Sequence, residues 1–194
     1  MTVKVETLKL TPRQREGRAV NAVAELLRRT LSVPSIYLEP PAALIAADVL
    51  AVDRAGAGDL HAVEIQLLDK ITKGSAPKRL TQDEKGFFPD QTRAQREAVK
   101  NAHRQLMSMP AHFRYLAIPA AYLDVLQYDL SRLGSYAQDG IGRLGVILIA
   151  ENGADSPQAE ISLHPERFRV DPAKLKTIET KLLAKSRPDI EVRV

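Results

Sequence analysis

The chain has 194 residues, enough for one well-buried domain and too few to argue for two, so residues 1–194 are expected to form a single domain. With 44% hydrophobic and 27% charged residues its proportions are globular, and the absence of cysteine excludes disulfides and any cysteine-held zinc or iron–sulfur centre. The 28 basic residues barely exceed the 24 acidic ones, and the resulting +4 permits a polyanionic partner without requiring one.

No apolar run reaches the length of a membrane span, and the polar start MTVKVETLK is unlike a signal peptide. A cytoplasmic protein with no membrane partner is the expectation. In chain order, Thr11-Pro12-Arg13-Gln14 reads as a helix start, with Thr11 as cap, Pro12 in the first turn and Gln14 closing a capping box. The helix runs to about Leu31, and Val20, Val23, Ala24, Leu27 and Leu31 make its apolar stripe. Glu16 projects near that stripe; Glu25 points away. Ser32-Val33-Pro34 ends the helix, and Ser35 to Leu38 reads as a short strand before Pro40-Pro41.

Next comes a hairpin, Leu44 to Leu68, in which two apolar runs flank a turn from Asp53 to Asp59. The polar stretch from Asp69 to Gln91, with Gly74, Pro77, Gly86 and Pro89, is expected to be a long loop or lid. Thr92 can cap a helix ending at Pro110, with Val99, Ala102, Leu106 and Met109 as its core stripe. Arg93, Arg96, Lys100 and Arg104 lie on another face of it. A strand from His112 to Ile118, a helix from Tyr122 to about Leu133 and a buried strand from Leu144 to Ala150 follow. Ala159 to Leu163 can pair with that strand, and Pro172 opens a last helix through about Lys185.

The hairpin carries the chemistry. Side chains alternate faces along a strand, so Asp48, Leu50 and Val52 share one face of the first run. On the second run Ala62, Glu64, Gln66 and Leu68 share a face, with His61, Val63, Ile65 and Leu67 opposite. A carboxylate inside each of two apolar strands is costly unless it has a partner. Together the two make a hard oxygen site suited to magnesium. On burial alone the bland alternative stays open, with Asp48 a strand-end residue and Glu64 paired to a neighbouring arginine. The Arg93, Arg96, Lys100, Arg104 stripe is either a solvated helix face or, beside Lys73, Lys78 and Arg79, a grip on phosphates. The four histidines have no metal-ligand spacing, and no glycine-rich phosphate loop or Ser-His-Asp set is present. Aromatics at 5% and no tryptophan disfavour single-strand binding by stacking.

An Asp on one strand of a hairpin followed by Glu-x-Lys on the next resembles the signature of the PD-(D/E)xK nucleases, restriction-endonuclease-like enzymes. Asp48 matches the first acid and Glu64 the second, while Gln66 stands at the lysine position and Ala47 at the proline position. The Glu-x-Gln form is a minority variant among restriction endonucleases, and EIQLLDKITKGS is most similar to the NotI-like branch. By order of elements the resemblance covers about Thr11 to Pro119. It implies an α/β fold with a restriction-endonuclease-like mixed β-sheet flanked by helices. It implies a DNA endonuclease in which Asp48, Glu64 and the carbonyl of Ile65 hold Mg2+ or Mn2+, with Gln66 as the third catalytic residue. DNA is then the partner, and a homodimer is implied by analogy. Many such enzymes carry a supporting Glu on the first helix; Glu16 faces suitably, though a first-turn Glu also favours the helix dipole. The departures at Gln66 and Ala47 support an alternative, a non-catalytic nucleic-acid-binding or assembly subunit that keeps the fold.

Overall fold

In the computed structural model of the chain, the described residues are 11–32, 34–40, 42–43, 45–54, 58–68, 90–123, 143–150 and 157–185. Helix α1 spans Pro12–Thr30 and is opened by Thr11, whose hydroxyl accepts from the Gln14 N–H while the Gln14 side chain accepts from the Thr11 N–H. This is the capping box read from the sequence. Strands β1 (Pro34–Leu38), β2 (Val49–Asp53) and β3 (Asp59–Ile65) follow, then α2 (Asp90–Ser108) and β4 (Phe113–Pro119). A 3-10 turn at Ala120–Tyr122 leads out of β4, and β5 (Gly145–Ala150), β6 (Gln158–Leu163) and α3 (Pro172–Lys185) complete the order.

The strands form one six-stranded mixed sheet in chain order. β1, β2 and β3 are antiparallel neighbours, β3–β4 and β4–β5 are parallel, and β6 returns antiparallel to β5. The class is α/β, with helices on both faces of the sheet. On one face α1 packs Val20, Val23 and Leu27 against Val49, Ala51, Val63, Ala117, Ile147 and Ile149. On the other, Val99, Ala102 and Leu106 of α2 and Ile178 and Leu182 of α3 meet Leu50, Val52, Leu60, Ala62, Leu116 and Leu148. Strand residues of alternating parity go to the two cores, as the pleat requires. With both faces covered, β4 and β5 are near-continuously apolar.

Some boundaries differ from the sequence reading. α2 begins at Asp90, so Thr92 lies inside the helix rather than capping it; Asp is itself favoured at helix starts. The same helix ends at Ser108, where buried Arg114 holds one carbonyl of its last turn and one of the link to β4. Arg114 Nε donates to Ala111 O at 3.0 Å and Nη1 to Met107 O at 2.9 Å. Its guanidinium stacks 3.9 Å over Phe168, and burial pulls its pKa down to about 10. Of the loop or lid expected from Asp69 to Gln91, residues 69–89 lie outside the described residues and Asp90 and Gln91 instead belong to α2. Most of the helix expected from Tyr122 onward also lies outside the described residues. Among the described residues no helix is long and apolar enough to cross a membrane.

Candidate functional site

The register of β2 and β3 sets Val49 against Val63 and Leu50 against Ala62. Asp48 and Glu64 are the residues just beyond that last pair. Asp48 lies just outside β2 but is tied as a strand residue: its N–H donates to Val63 O at 3.0 Å, and its carbonyl accepts from the Glu39 N–H at 2.8 Å. Its carboxylate turns toward β3, where Oδ2 accepts from the Ile65 N–H at 2.6 Å. Gln66 continues the ladder on the other side, donating its N–H to Ala117 O of β4 at 2.9 Å. Both acids therefore stand on backbone that is bonded to its neighbours.

Glu64 is buried, with 8% of its surface exposed. Its partners among the described residues are two neutral amides. Gln66 Nε2 donates to Oε1 at 3.0 Å, and Gln105 Nε2, reaching across from α2, donates to Oε2 at 2.9 Å. The same Gln105 nitrogen donates to Ala46 O at 2.6 Å. The arginine that the bland alternative required is replaced by amides. The face assignment made from the sequence holds, since Glu64 and Gln66 meet on the α2 side. His61 lies opposite, stacked on Phe113 with 4.7 Å between ring centroids.

Electrostatics follow from this arrangement. Burial raises the Glu64 pKa first, the Asp48 charge raises it further, and the Gln66 amide pulls it part of the way back, leaving it at about 7. Asp48 is raised by burial, with the Ile65 N–H opposing and the charges of Glu16 and Glu39 adding. Glu16, exposed on α1, thus lies close enough for its charge to act on Asp48. Glu39, which the sequence reading did not single out, does the same. Glu39 (φ 45°) and Leu68 (φ 62°) are the non-glycine residues with positive φ among the described residues. Each costs about 1–2 kcal/mol in left-handed backbone, and both flank the acid pair.

Of the other predicted residues, Lys100 and Arg104 lie on the exposed side of α2. Lys100 Nζ is 2.9 Å from Glu97, and Arg104 donates to Asn101 at 3.2 Å. Arg93 and Arg96 belong to the same helix, but their side chains lie outside the described ones, as do Lys73, Lys78 and Arg79. Gln105 is the site residue the sequence reading missed. Among the described residues no three His, Cys, Asp or Glu side chains gather as a ready metal-ligand set. The pair still suits a divalent cation: two close carboxylates disfavour each other's ionised form, which a cation between them would relieve, and each Glu64 oxygen takes one amide hydrogen and keeps a further lone pair. Comparison of the chain with protein-family models, curated proteins and solved structures finds no match.

Proposed function

We propose that the chain is a metal-dependent DNA endonuclease of restriction-endonuclease-like fold that hydrolyses phosphodiester bonds at the Asp48–Glu64 pair. The observation carrying this reading is the pair itself: neighbouring acids at the ends of adjacent strands, one buried between uncharged amides with its pKa pushed up to about 7. Perturbed acids at a strand end are candidates for chemistry rather than for structure. Asp48, Glu64 and the Ile65 carbonyl would hold Mg2+ or Mn2+, which when bound supplies acidity to a water and charge to the phosphate oxygens. The Ile65 N–H fixes the Asp48 carboxylate, and the Gln66 amide fixes that of Glu64. Beyond that bond, an amide retains a carbonyl and a second N–H able to hold a water or a phosphate oxygen, but it carries no positive charge. Lys100 and Arg104 on α2 would contact phosphates, joined by Arg93, Arg96, Lys73, Lys78 and Arg79; their exposed local pairing is weak enough to be exchanged for a polyanion. A homodimer would present two such sites to a duplex.

The engagement of Gln66 with Glu64 favours a second reading, a nucleic-acid-binding or assembly subunit that does not cleave. Plasmid cleavage with Mg2+, abolished by EDTA and by Asp48→Asn, is expected of the nuclease. DNA retention without cleavage in Mg2+ or Mn2+ would select the second reading, and neither binding nor cleavage would discard both.

A further inference from the structure

The Gln105 amide makes two bonds that fix its orientation. One hydrogen-bond partner is the carbonyl of Ala46, two residues before Asp48, and the other is the Glu64 carboxylate. Both partners accept only, so turning the amide over would set its oxygen against two oxygens. From α2, a single side chain thereby links the segment leading into Asp48 with the acid of the adjacent strand. A glutamate has three rotatable torsions and would swing away from a like charge if left alone. Gln66 holds the other oxygen but departs from the same strand end, so it turns with Glu64 rather than against it. Gln105 supplies the fixed point. It does so without charge: an arginine or lysine here would hold Glu64 equally well and would neutralise it.

We propose that Gln105 is a positioning residue of the acid pair, a neutral clamp that holds Glu64 and the approach to Asp48 in place while leaving their negative charge available to a divalent cation. The inference rests on the metal-dependent reading of the same site. Partners of this kind, bonded to a ligand rather than to the metal, change metal affinity by about 10- to 100-fold when removed.

The test is titration calorimetry of the full chain with Mg2+ and with Mn2+, for the parent, Gln105→Met and Gln105→Lys. The methionine keeps the volume beside Ala102 and Leu106 and loses the donor; the lysine keeps a donor and adds charge. Both are expected to unfold cooperatively. The methionine should bind either cation about tenfold or more weakly, and the lysine should lose binding while standing urea at least as well as the parent. Parent-like affinity in either variant overturns the clamp and leaves the metal-dependent reading intact. A parent that binds neither cation overturns that reading instead. In that event a metal-free unfolding cycle with Glu64→Ala and Gln105→Met decides whether Gln105 holds Glu64: non-additivity of about tenfold in the unfolding constant supports it, and additivity overturns it.

Discussion

Glu64→Gln isolates the electrostatic cost of the acid pair. The folded carboxyl titrates at about 7 against an ordinary 4.5, because it is buried and faces Asp48. Its folded pKa is raised, so between those values the native state binds more protons than the unfolded one, and stability falls as pH rises. At about 1.4 kcal/mol per unit, the full shift amounts to about 3 kcal/mol, incurred between pH 4.5 and 8. The amide variant cannot ionise. Its hydrogen bonds can be kept, since the new carbonyl can accept from Gln105, and the Gln66 amide can turn over to accept the new N–H. The stability difference should therefore move by about 2–3 kcal/mol in favour of the variant across that range. Urea unfolding in EDTA at pH 4.5, 6, 7 and 8 reads it directly. Saturating Mg2+ should then stabilise the parent and not the variant. A difference that stays constant with pH, or one that moves toward the parent, refutes the reasoning.

Removing Arg96 and Lys100 together should weaken DNA binding and reduce its dependence on salt, measured by anisotropy across a salt series; an unchanged slope returns the stripe to a solvated face. His61 is held neutral to about 4 by burial, against the opposing charges of Asp59 and Asp53. Below pH 6.5 only the unfolded state takes up that proton, so about 3 kcal/mol of stability should be lost by pH 4, and His61→Phe should flatten that limb of the profile. Glu39→Gly relieves a left-handed residue at an exposed position and removes a charge acting on Asp48, and should raise the thermal midpoint by an amount corresponding to up to about 1 kcal/mol.

The hairpin was legible in the sequence as two apolar runs around a turn, and side chains alternate faces along any strand. Placing Glu64 and Gln66 together and His61 opposite needed nothing else. The α1 cap was equally readable, because Thr11 and Gln14 satisfy each other locally. Gln105 was not, since its partners lie on other elements, 41 residues from Glu64 and 59 from Ala46. The available signal was positional: Gln105 stands three residues after Ala102 and four before Met109, on the rim of an apolar stripe. A polar group there must find a buried partner. Arg114 hides for a similar reason. Within FRYLAIP it looks like an interruption of an apolar strand, and only the fold brings the end of α2 to it.

The two ends of β3 show why one acid is structural and the other is a candidate for chemistry. Asp59 opens the strand and Glu64 stands one residue before its end. Burial alone would raise the Asp59 carboxyl, but the hydrogen bond and charge of Arg167, with Nη2 at 2.8 Å, outweigh it and lower the pKa. His112 Nδ1 accepts the Leu60 N–H at 3.1 Å, which makes it a neutral acceptor there rather than a charged partner at its 3.3 Å approach to Asp59. That end of the strand is electrostatically closed. Glu64, on the same strand, is shifted the other way and bonded only by neutral amides among the described residues. Asp48 beside it is raised as well. A carboxylate whose role is to hold the sheet together gains from a cation like Arg167. One kept between amides, facing another acid at the carboxyl ends of the parallel strands β3 and β4, retains its charge where α/β sheets commonly bind their ligands. The contrast runs along a single strand, so overall composition and average burial cannot account for it. Neutralising the pair should follow the same polarity: Asp59→Asn should destabilise the fold, and Glu64→Gln at neutral pH should not.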